Sequence, residues 1–170
     1  MARIHDPPEI EERLIPGHWE GDLIKDARHA SGIGALVERT SLFVTLARME
    51  HARAEAAVAG FSTALPRLEA QPRLSIPYDP GREIAQHERL TARTNGRVSF
   101  ADPHSPWPRG INENTNGLLR QVFPKGTDLS AFTQDELDAV AWQLNTRPRK
   151  SLNWRCPAEL FLPNFDYAKY

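Results

Sequence analysis

The chain contains 170 residues with 22 acidic and 21 basic side chains, 40% hydrophobic residues and a formal net charge of −1. This composition is typical of one globular domain, and the charge balance argues against a protein that coats nucleic acid through bulk positive charge. No apolar segment approaches the ~20 residues of a membrane helix or has the form of a secretory leader. The one cysteine, Cys156, excludes an internal disulfide. A cytoplasmic protein without a membrane partner is expected.

The first 17 residues differ from the rest of the chain. They contain two adjacent prolines, an excess of acidic side chains and no apolar periodicity. This pattern predicts a solvated tail or linker over residues 1–17. A folded core is expected over residues 18–163, followed by a C-terminal tail over residues 164–170.

Apolar segments separated by turn residues predict the strands. Segments 19–24, 35–38 and 42–47 have the spacing of a three-stranded antiparallel meander, and segments 74–78 and 97–100 predict two more strands. With the helices described next, this order predicts an α/β fold with a mixed five-stranded sheet flanked by helices.

Helical periodicity begins after the meander. Apolar residues recur at helical spacing over residues 54–65, and further helices are predicted over residues 82–93 and 112–122. The last clear helix starts at Thr133 with a capping box completed by Glu136. Its predicted core face consists of Leu137, Val140, Ala141 and Leu144. A proline-rich loop is expected over residues 102–110.

Three carboxylates occupy positions that suit a metal site. The sequence lacks a phosphate-binding glycine loop, a dinucleotide fingerprint, zinc-ligand spacing and a serine-nucleophile elbow. Asp22 lies inside an apolar strand, Asp79 lies where a strand ends, and Glu113 lies near the start of a helix. If they converge, their repulsion would be relieved by Mg²⁺ or Mn²⁺, which prefer hard oxygen ligands. The alternatives are an arginine partner for Asp22, a turn role for Asp79 and helix-terminus stabilisation by Glu113.

The sequence segments around these carboxylates resemble those of a known protein family. In order, they closely resemble the catalytic core of bacterial transposases of the insertion-sequence-thirty family, within the retroviral-integrase-type class. The resemblance spans about residues 17–163. The matching segments are residues 18–24, 34–39, 78–83, 100–107, 109–120, 123–128 and 144–150.

The resemblance implies a ribonuclease-H-like fold and an Asp-Asp-Glu triad at Asp22, Asp79 and Glu113. The last two are separated by 33 residues (113 − 79 − 1), a spacing similar to the family's. The implied activity is metal-dependent phosphodiester hydrolysis and DNA strand transfer with two Mg²⁺ or Mn²⁺ ions per active site. The implied partners are transposon ends and target DNA on the nucleoid, bound by a homo-oligomer.

Several basic or aromatic side chains are candidate DNA ligands. Arg120 follows Glu113 by seven residues, which is nearly two helical turns, so both positions share a helix face. The remaining candidates also have structural alternatives. They could belong to a surface loop that contacts no DNA, or could be cations that complement the dipole of a helix end. The other candidates are Trp107, Arg109, Lys125, Arg147, Arg149 and Lys150.

Two alternative functions remain open at this point. Transposases of this family carry an upstream helix-turn-helix, and residues 1–17 are too few to hold one. The chain is therefore also interpretable as a truncated, catalytically inactive remnant that folds and binds DNA weakly. A hydrolase with paired carboxylates, such as a glycosidase, is the third hypothesis, although the sequence shows no sugar-binding aromatic pattern.

Overall fold

The computed structural model describes residues 18–26, 31–49, 73–77, 97–101, 107–162 and 165–166. Within these ranges, five strands form one mixed sheet in the order β3-β2-β1-β4-β5. The first three strands pair antiparallel, whereas β4 pairs parallel with both β1 and β5. The predicted meander and mixed five-stranded sheet are therefore confirmed. The strands are β1 (His18–Lys25), β2 (Gly32–Glu38), β3 (Val44–Met49), β4 (Arg73–Pro77) and β5 (Arg97–Ala101).

The helices of the described ranges all follow the sheet in the chain. They are α1 (Trp107–Val122), α2 (Gln134–Asn145) and α3 (Pro157–Phe161). None of these helices is long and apolar enough to cross a membrane. The predicted helices over residues 54–65 and 82–93 and the predicted tail over residues 1–17 lie outside the described residues. The proposed domain boundaries remain predictions.

The core forms between one face of the sheet and the two long helices. Side chains alternate between the faces of a strand, so Ile24 of β1 points to the same face as Asp22. Leu119 and Phe123 pack against this face, and both are fully buried. The predicted core face of α2 is confirmed, because Leu137, Ala141 and Leu144 are buried and Val140 packs against them.

The first turn of α2 forms as the sequence predicts. The Thr133 side chain accepts a hydrogen bond from the Glu136 backbone N–H, and the Glu136 carboxylate accepts one from the Thr133 backbone N–H at 2.8 Å. This reciprocal pair satisfies two donors that would otherwise have no helical partner. The capping box thus determines where α2 begins.

The predicted third strand, residues 42–47, begins two residues too early. Leu42 has a φ of 61° and belongs to the β2–β3 turn, where its N–H donates to the Glu38 carbonyl at 2.8 Å. The Glu38 carboxylate accepts the backbone N–H groups of Thr40, at 3.2 Å, and of Ser41, at 2.7 Å. Side-chain bonding of this kind stabilises the turn against extended structure, which an apolar pattern does not reveal.

The proline-rich loop predicted over residues 102–110 is wrong in its second half. Trp107 and Arg109 lie in the first turn of α1, which begins at Trp107. Pro108 is compatible with this turn because the first N–H groups of a helix have no intrahelical partner and proline has the required φ. The two candidate DNA ligands therefore lie at a helix terminus.

The outer edge of the sheet is covered by two side-chain amides of α2. Asn145 accepts the Val44 N–H and donates to the Val44 carbonyl, both at 2.8 Å. Gln134 accepts the Arg48 N–H at 2.9 Å and donates to the Leu46 carbonyl at 2.8 Å. Alternate backbone groups of an edge strand have no strand partner, so these amides replace one. Both ends of α2 are thereby held on β3.

Substitution of two glycines by alanine tests the backbone conformations of α1 and of the turn that follows it. Gly117 lies exposed within α1, whereas Gly126 has a φ of +90° in the Pro124–Thr127 turn, and a Cβ added at either position would meet no atom within 4 Å. Gly117→Ala is expected to raise the free energy of unfolding by about 0.5–1 kcal/mol through helix propensity. Gly126→Ala is expected to lower it by about 1–2 kcal/mol through backbone strain. Urea denaturation measures both, and changes of the same sign would contradict these backbone conformations.

Candidate metal centre

Asp22 lies in the middle of β1, at the junction of the sheet with α1. It pairs across the strands with Ala35 and is partly buried. One carboxylate oxygen, Oδ1, accepts the Leu23 backbone N–H at 2.8 Å. The other, Oδ2, accepts a short hydrogen bond from the Asn116 side-chain nitrogen Nδ2. The carboxylate is therefore held by one bond from its own strand and one from α1.

Asn116 connects Asp22 to the helix that carries Glu113. Its Oδ1 atom is buried and has no hydrogen-bond partner among the described residues, while its Nδ2 atom donates to Asp22. Residues three apart share one side of a helix, so the position of Glu113 lies one turn before Asn116 on the side of α1 that contacts β1. The backbone thus brings two of the three predicted ligand positions to one junction.

The third predicted ligand, Asp79, lies outside the described residues. The side chain of Glu113 is likewise not described, although its backbone belongs to α1. Among the described side chains, no group of three His, Cys, Asp or Glu could hold a metal ion. The convergence of Asp22, Asp79 and Glu113 remains a prediction.

The atoms at the junction fit a hard divalent cation. Buried polar atoms are almost always hydrogen-bonded, so a buried amide oxygen without a partner indicates a missing donor or cation. The Asn116 Oδ1 atom belongs to a side chain that already touches the Asp22 carboxylate. Carboxylate and amide oxygens suit Mg²⁺ or Mn²⁺ better than softer metals.

Arg120 lies farther along α1 and bonds to the end of β1. Its guanidinium donates to the Lys25 carbonyl at 3.3 Å and to the Phe123 carbonyl at 3.4 Å. Both bonds are long, so they orient the side chain weakly. Lys125 is exposed in the turn that follows α1. Their predicted contacts with DNA remain predictions.

The other basic candidates follow α2. Arg147 and Lys150 are exposed, and Arg149 is partly buried between them. Burial, together with the positive charge of Arg147, lowers the pKa of Arg149 below its ordinary value. The buried Arg149 Nε atom has no hydrogen-bond partner among the described residues. An anion beside the Arg149 guanidinium would offset its repulsion from Arg147.

Asn116 was not predicted from the sequence, although a signal for it existed. Residues 112–116 read Asn-Glu-Asn-Thr-Asn, and helical spacing places the last of them on the side of Glu113. Amide side chains are too common to single out without knowledge of what faces them. Contact with Asp22 distinguishes Asn116 from its neighbours.

Solved integrase structures share the fold of this chain. The chain matches a chain of the simian T-cell lymphotropic virus intasome with a TM-score of 0.66 and 19% identity, covering 90% of this chain and 58% of that chain. It matches the BIV integrase catalytic core with a TM-score of 0.62, 17% identity and 86% and 93% coverage. The predicted ribonuclease-H-like fold of integrase cores is confirmed.

Sequence comparison identifies more specific relatives of the chain. No protein-family model matches the chain. The chain is 57% identical over 161 residues to the transposase of element IS1086 from Cupriavidus metallidurans, covering 94% of this chain and 48% of the relative. It is 44% identical over 151 residues to transposase InsI of IS30A from Escherichia coli, covering 89% and 39%.

These similarities confirm the resemblance to insertion-sequence-thirty transposases. The chain is a homologue of the IS1086 and IS30 transposases in sequence and has the fold of integrase catalytic cores. It spans about half the length, or less, of these transposases.

Proposed function

We propose that the chain is the catalytic core of a DNA transposase. Its reaction is cleavage of a phosphodiester bond, followed by attack of the freed 3′-OH on target DNA. The observation that carries the proposal is the Asp22–Asn116 contact, which joins β1 to the α1 helix of Glu113. The relatives in sequence are transposases, and this favours strand transfer over hydrolysis of a glycosidic bond.

Three side chains are assigned as metal ligands in this proposal. Asp22, Asp79 and Glu113 would hold the ions through their carboxylate oxygens. When bound, Mg²⁺ or Mn²⁺ supplies Lewis-acid activation of the attacking and leaving oxygens. Asn116 is a positioning residue, because its N–H holds the Asp22 carboxylate in one orientation. A solved integrase core of HTLV-2 contains magnesium in a trimeric form, which supports a divalent cation here.

Basic side chains are assigned to DNA in the same proposal. Arg120 and Lys125 lie on and directly after α1, so they are available to phosphates near the metal centre. Trp107 and Arg109 lie at the start of the same helix. The DNA partners are transposon ends and target DNA on the nucleoid, and the active form is a homo-oligomer.

The proposal is tested by the metal dependence of DNA cutting. Supercoiled plasmid serves as a probe because its nicking requires no particular end sequence. We expect the purified chain to nick this plasmid in Mg²⁺ or Mn²⁺ and to lose this activity in EDTA. Either ion should also raise the melting temperature, because a ligand that binds only the folded state stabilises it. A folded chain that shows neither effect would instead be the inactive remnant.

A further inference from the structure

An exposed tryptophan occurs in the most basic segment of the described chain. The 147–155 loop, residues Arg147–Arg155, contains three arginines, one lysine and no acidic residue. Trp154 lies within it with 67% of its surface exposed. Among the exposed large hydrophobic residues of the described ranges, Trp154 has the largest exposed fraction. Indole rings are usually buried or in contact with a partner.

Backbone hydrogen bonds close the loop and leave the Trp154 side chain exposed. The Arg149 N–H donates to the Arg155 carbonyl at 3.0 Å, and the Trp154 N–H donates to the Arg149 carbonyl at 2.9 Å. Leu152 packs against the core, and the following Cys156 is fully buried. The loop is therefore anchored on either side of Trp154, whose indole remains exposed.

The backbone at this point is strained. Asn153 and Trp154 have φ values of 54° and 65°, in the left-handed region. Asparagine tolerates this region, but it is unfavourable for a bulky side chain. Strain of this kind is concentrated at functional sites, where the surrounding structure maintains it. A residue held in a costly conformation and exposed to solvent is therefore a candidate ligand-binding residue.

The neighbouring charges define the chemistry of the partner. Arg147, Lys150 and Arg155 are exposed, and Arg149 is partly buried, with its Nε atom enclosed by the protein. Burial and the positive charge of Arg147 lower the pKa of Arg149, and a nearby anion would oppose this effect. A polyanion with an aromatic ring to stack matches both features, whereas an apolar protein surface would leave four cations without a counter-charge.

We propose that the 147–155 loop binds an unpaired DNA base by stacking on Trp154, with the adjacent phosphates held by Arg147, Arg149 and Lys150. Fully paired DNA hides its base faces, so the loop selects overhanging or frayed ends. This inference deepens the proposed function, because a cut transposon end or a distorted target supplies such bases. Nothing in the proposed metal chemistry involves Trp154, so the two can fail separately.

The experiment compares two DNA probes with the full chain. Fluorescence anisotropy measures binding to a labelled duplex with a single-stranded overhang and to a blunt duplex, both in EDTA so that neither is cut. We expect Trp154→Ala to weaken overhang binding by roughly 5- to 100-fold and blunt binding less than about 2-fold. Trp154→Phe should retain most of the affinity because its ring still stacks.

Two further variants separate binding from folding and from charge. Trp154→Gly relieves the left-handed strain and should raise the melting temperature by a few degrees, yet it should lose overhang binding. Arg147→Gln should weaken both probes and reduce the salt dependence of binding. Equal loss on both probes in Trp154→Ala, unchanged binding, or no overhang preference in the unmodified chain would overturn the inference. Dissociation of an oligomer in Trp154→Ala would also overturn it, since it would identify a protein contact.

The outcomes distinguish this inference from the proposed function. Failure of the proposed function would appear as absence of metal-dependent nicking while overhang binding still depends on Trp154. Failure of this inference would appear as nicking that requires metal while overhang binding is independent of Trp154. Asp135→Asn, an exposed change in the first turn of α2, serves as the binding control. Its overhang affinity in EDTA should stay within about 2-fold of the unmodified chain, because substitutions without shared partners act independently.

Discussion

Asp22→Asn is expected to abolish metal-dependent DNA cutting, with a loss of about 10³-fold or more. Metal ions stabilise transition-state charge by several kcal/mol, and each 1.36 kcal/mol corresponds to tenfold in rate. The substitution keeps the shape of the side chain and its place beside Asn116 but removes the charge that binds cations. The melting temperature should no longer rise with Mg²⁺ or Mn²⁺.

The control for this loss removes an equal charge elsewhere. Asp135 is exposed in the first turn of α2, and Asp135→Asn should leave the plasmid-nicking rate within about 2-fold, since surface substitutions have small effects. Metal-free Asp22→Asn should remain folded and melt only slightly lower than the unmodified chain, because an amide offers one acceptor oxygen to the two N–H groups that bond the Asp22 carboxylate. Nicking that survives in Asp22→Asn would exclude Asp22 from the metal centre.

Asn116 is expected to modulate the same proposed centre, because its side chain donates to the Asp22 carboxylate. Removing the partner of a metal ligand typically reduces metal affinity or activity by about 10- to 100-fold. We therefore expect Asn116→Ala to require a higher Mn²⁺ concentration for half-maximal nicking and to recover at saturating Mn²⁺. A loss that added Mn²⁺ leaves unchanged would contradict the positioning role.

Asn145→Asp is expected to lower the free energy of unfolding by about 3–5 kcal/mol at neutral pH. Asn145 is 2% exposed and both donates to and accepts from the backbone of Val44 at 2.8 Å. The carboxylate cannot donate, so it would face the Val44 carbonyl as a buried and unpaired charge. Such a loss is a large part of the stability of an ordinary domain.

The pH dependence of this variant has a definite sign. Burial and the facing Val44 carbonyl raise the pKa of the new carboxyl above its unfolded value of about 3.9, although the Val44 N–H still donates to it. The folded variant therefore binds the additional proton, and its deficit relative to the unmodified chain should shrink as the pH falls. Urea denaturation of both chains at matched pH values measures this difference.

Gln134→Glu is the matched control because it makes the same change at the other end of α2. Gln134 is exposed and lies in the first turn, where water and the helix dipole accommodate a negative charge and reduce its repulsion from Asp138, to which the amide donates at 2.8 Å. We expect a loss below about 1 kcal/mol. A small effect of Asn145→Asp, or one equal to that of Gln134→Glu, would contradict a buried amide at the edge of the sheet.

Local patterns predicted much of the described fold. The meander follows from apolar segments with turn residues between them, and α2 follows from Thr133, Glu136 and a periodic apolar face. The predictions were wrong where side-chain hydrogen bonds, or the geometry of a helix terminus, outweigh the pattern of apolar residues. Glu38 stabilises a turn through Leu42, and Pro108 is compatible with the first turn of α1.

The candidate site was predictable only in part. Asp22 stands out because a carboxylate rarely interrupts an apolar strand without a function. Glu113 stands out because it lies in a sequence segment that resembles the transposase family. Asn116 and Trp154 did not stand out, since their significance depends on a contact across the fold and on a strained backbone. Neither feature has a signature in local composition or periodicity.

The central claim is that Asp22, Asp79 and Glu113 hold divalent cations together. An anomalous difference map from a crystal of the chain soaked in Mn²⁺ tests this most directly. We expect Mn²⁺ peaks within about 2.0–2.3 Å of carboxylate oxygens from all three residues, the range of oxygen coordination to such ions. Ordered carboxylates without a peak, or Mn²⁺ bound at a site that excludes Asp22, would contradict the account.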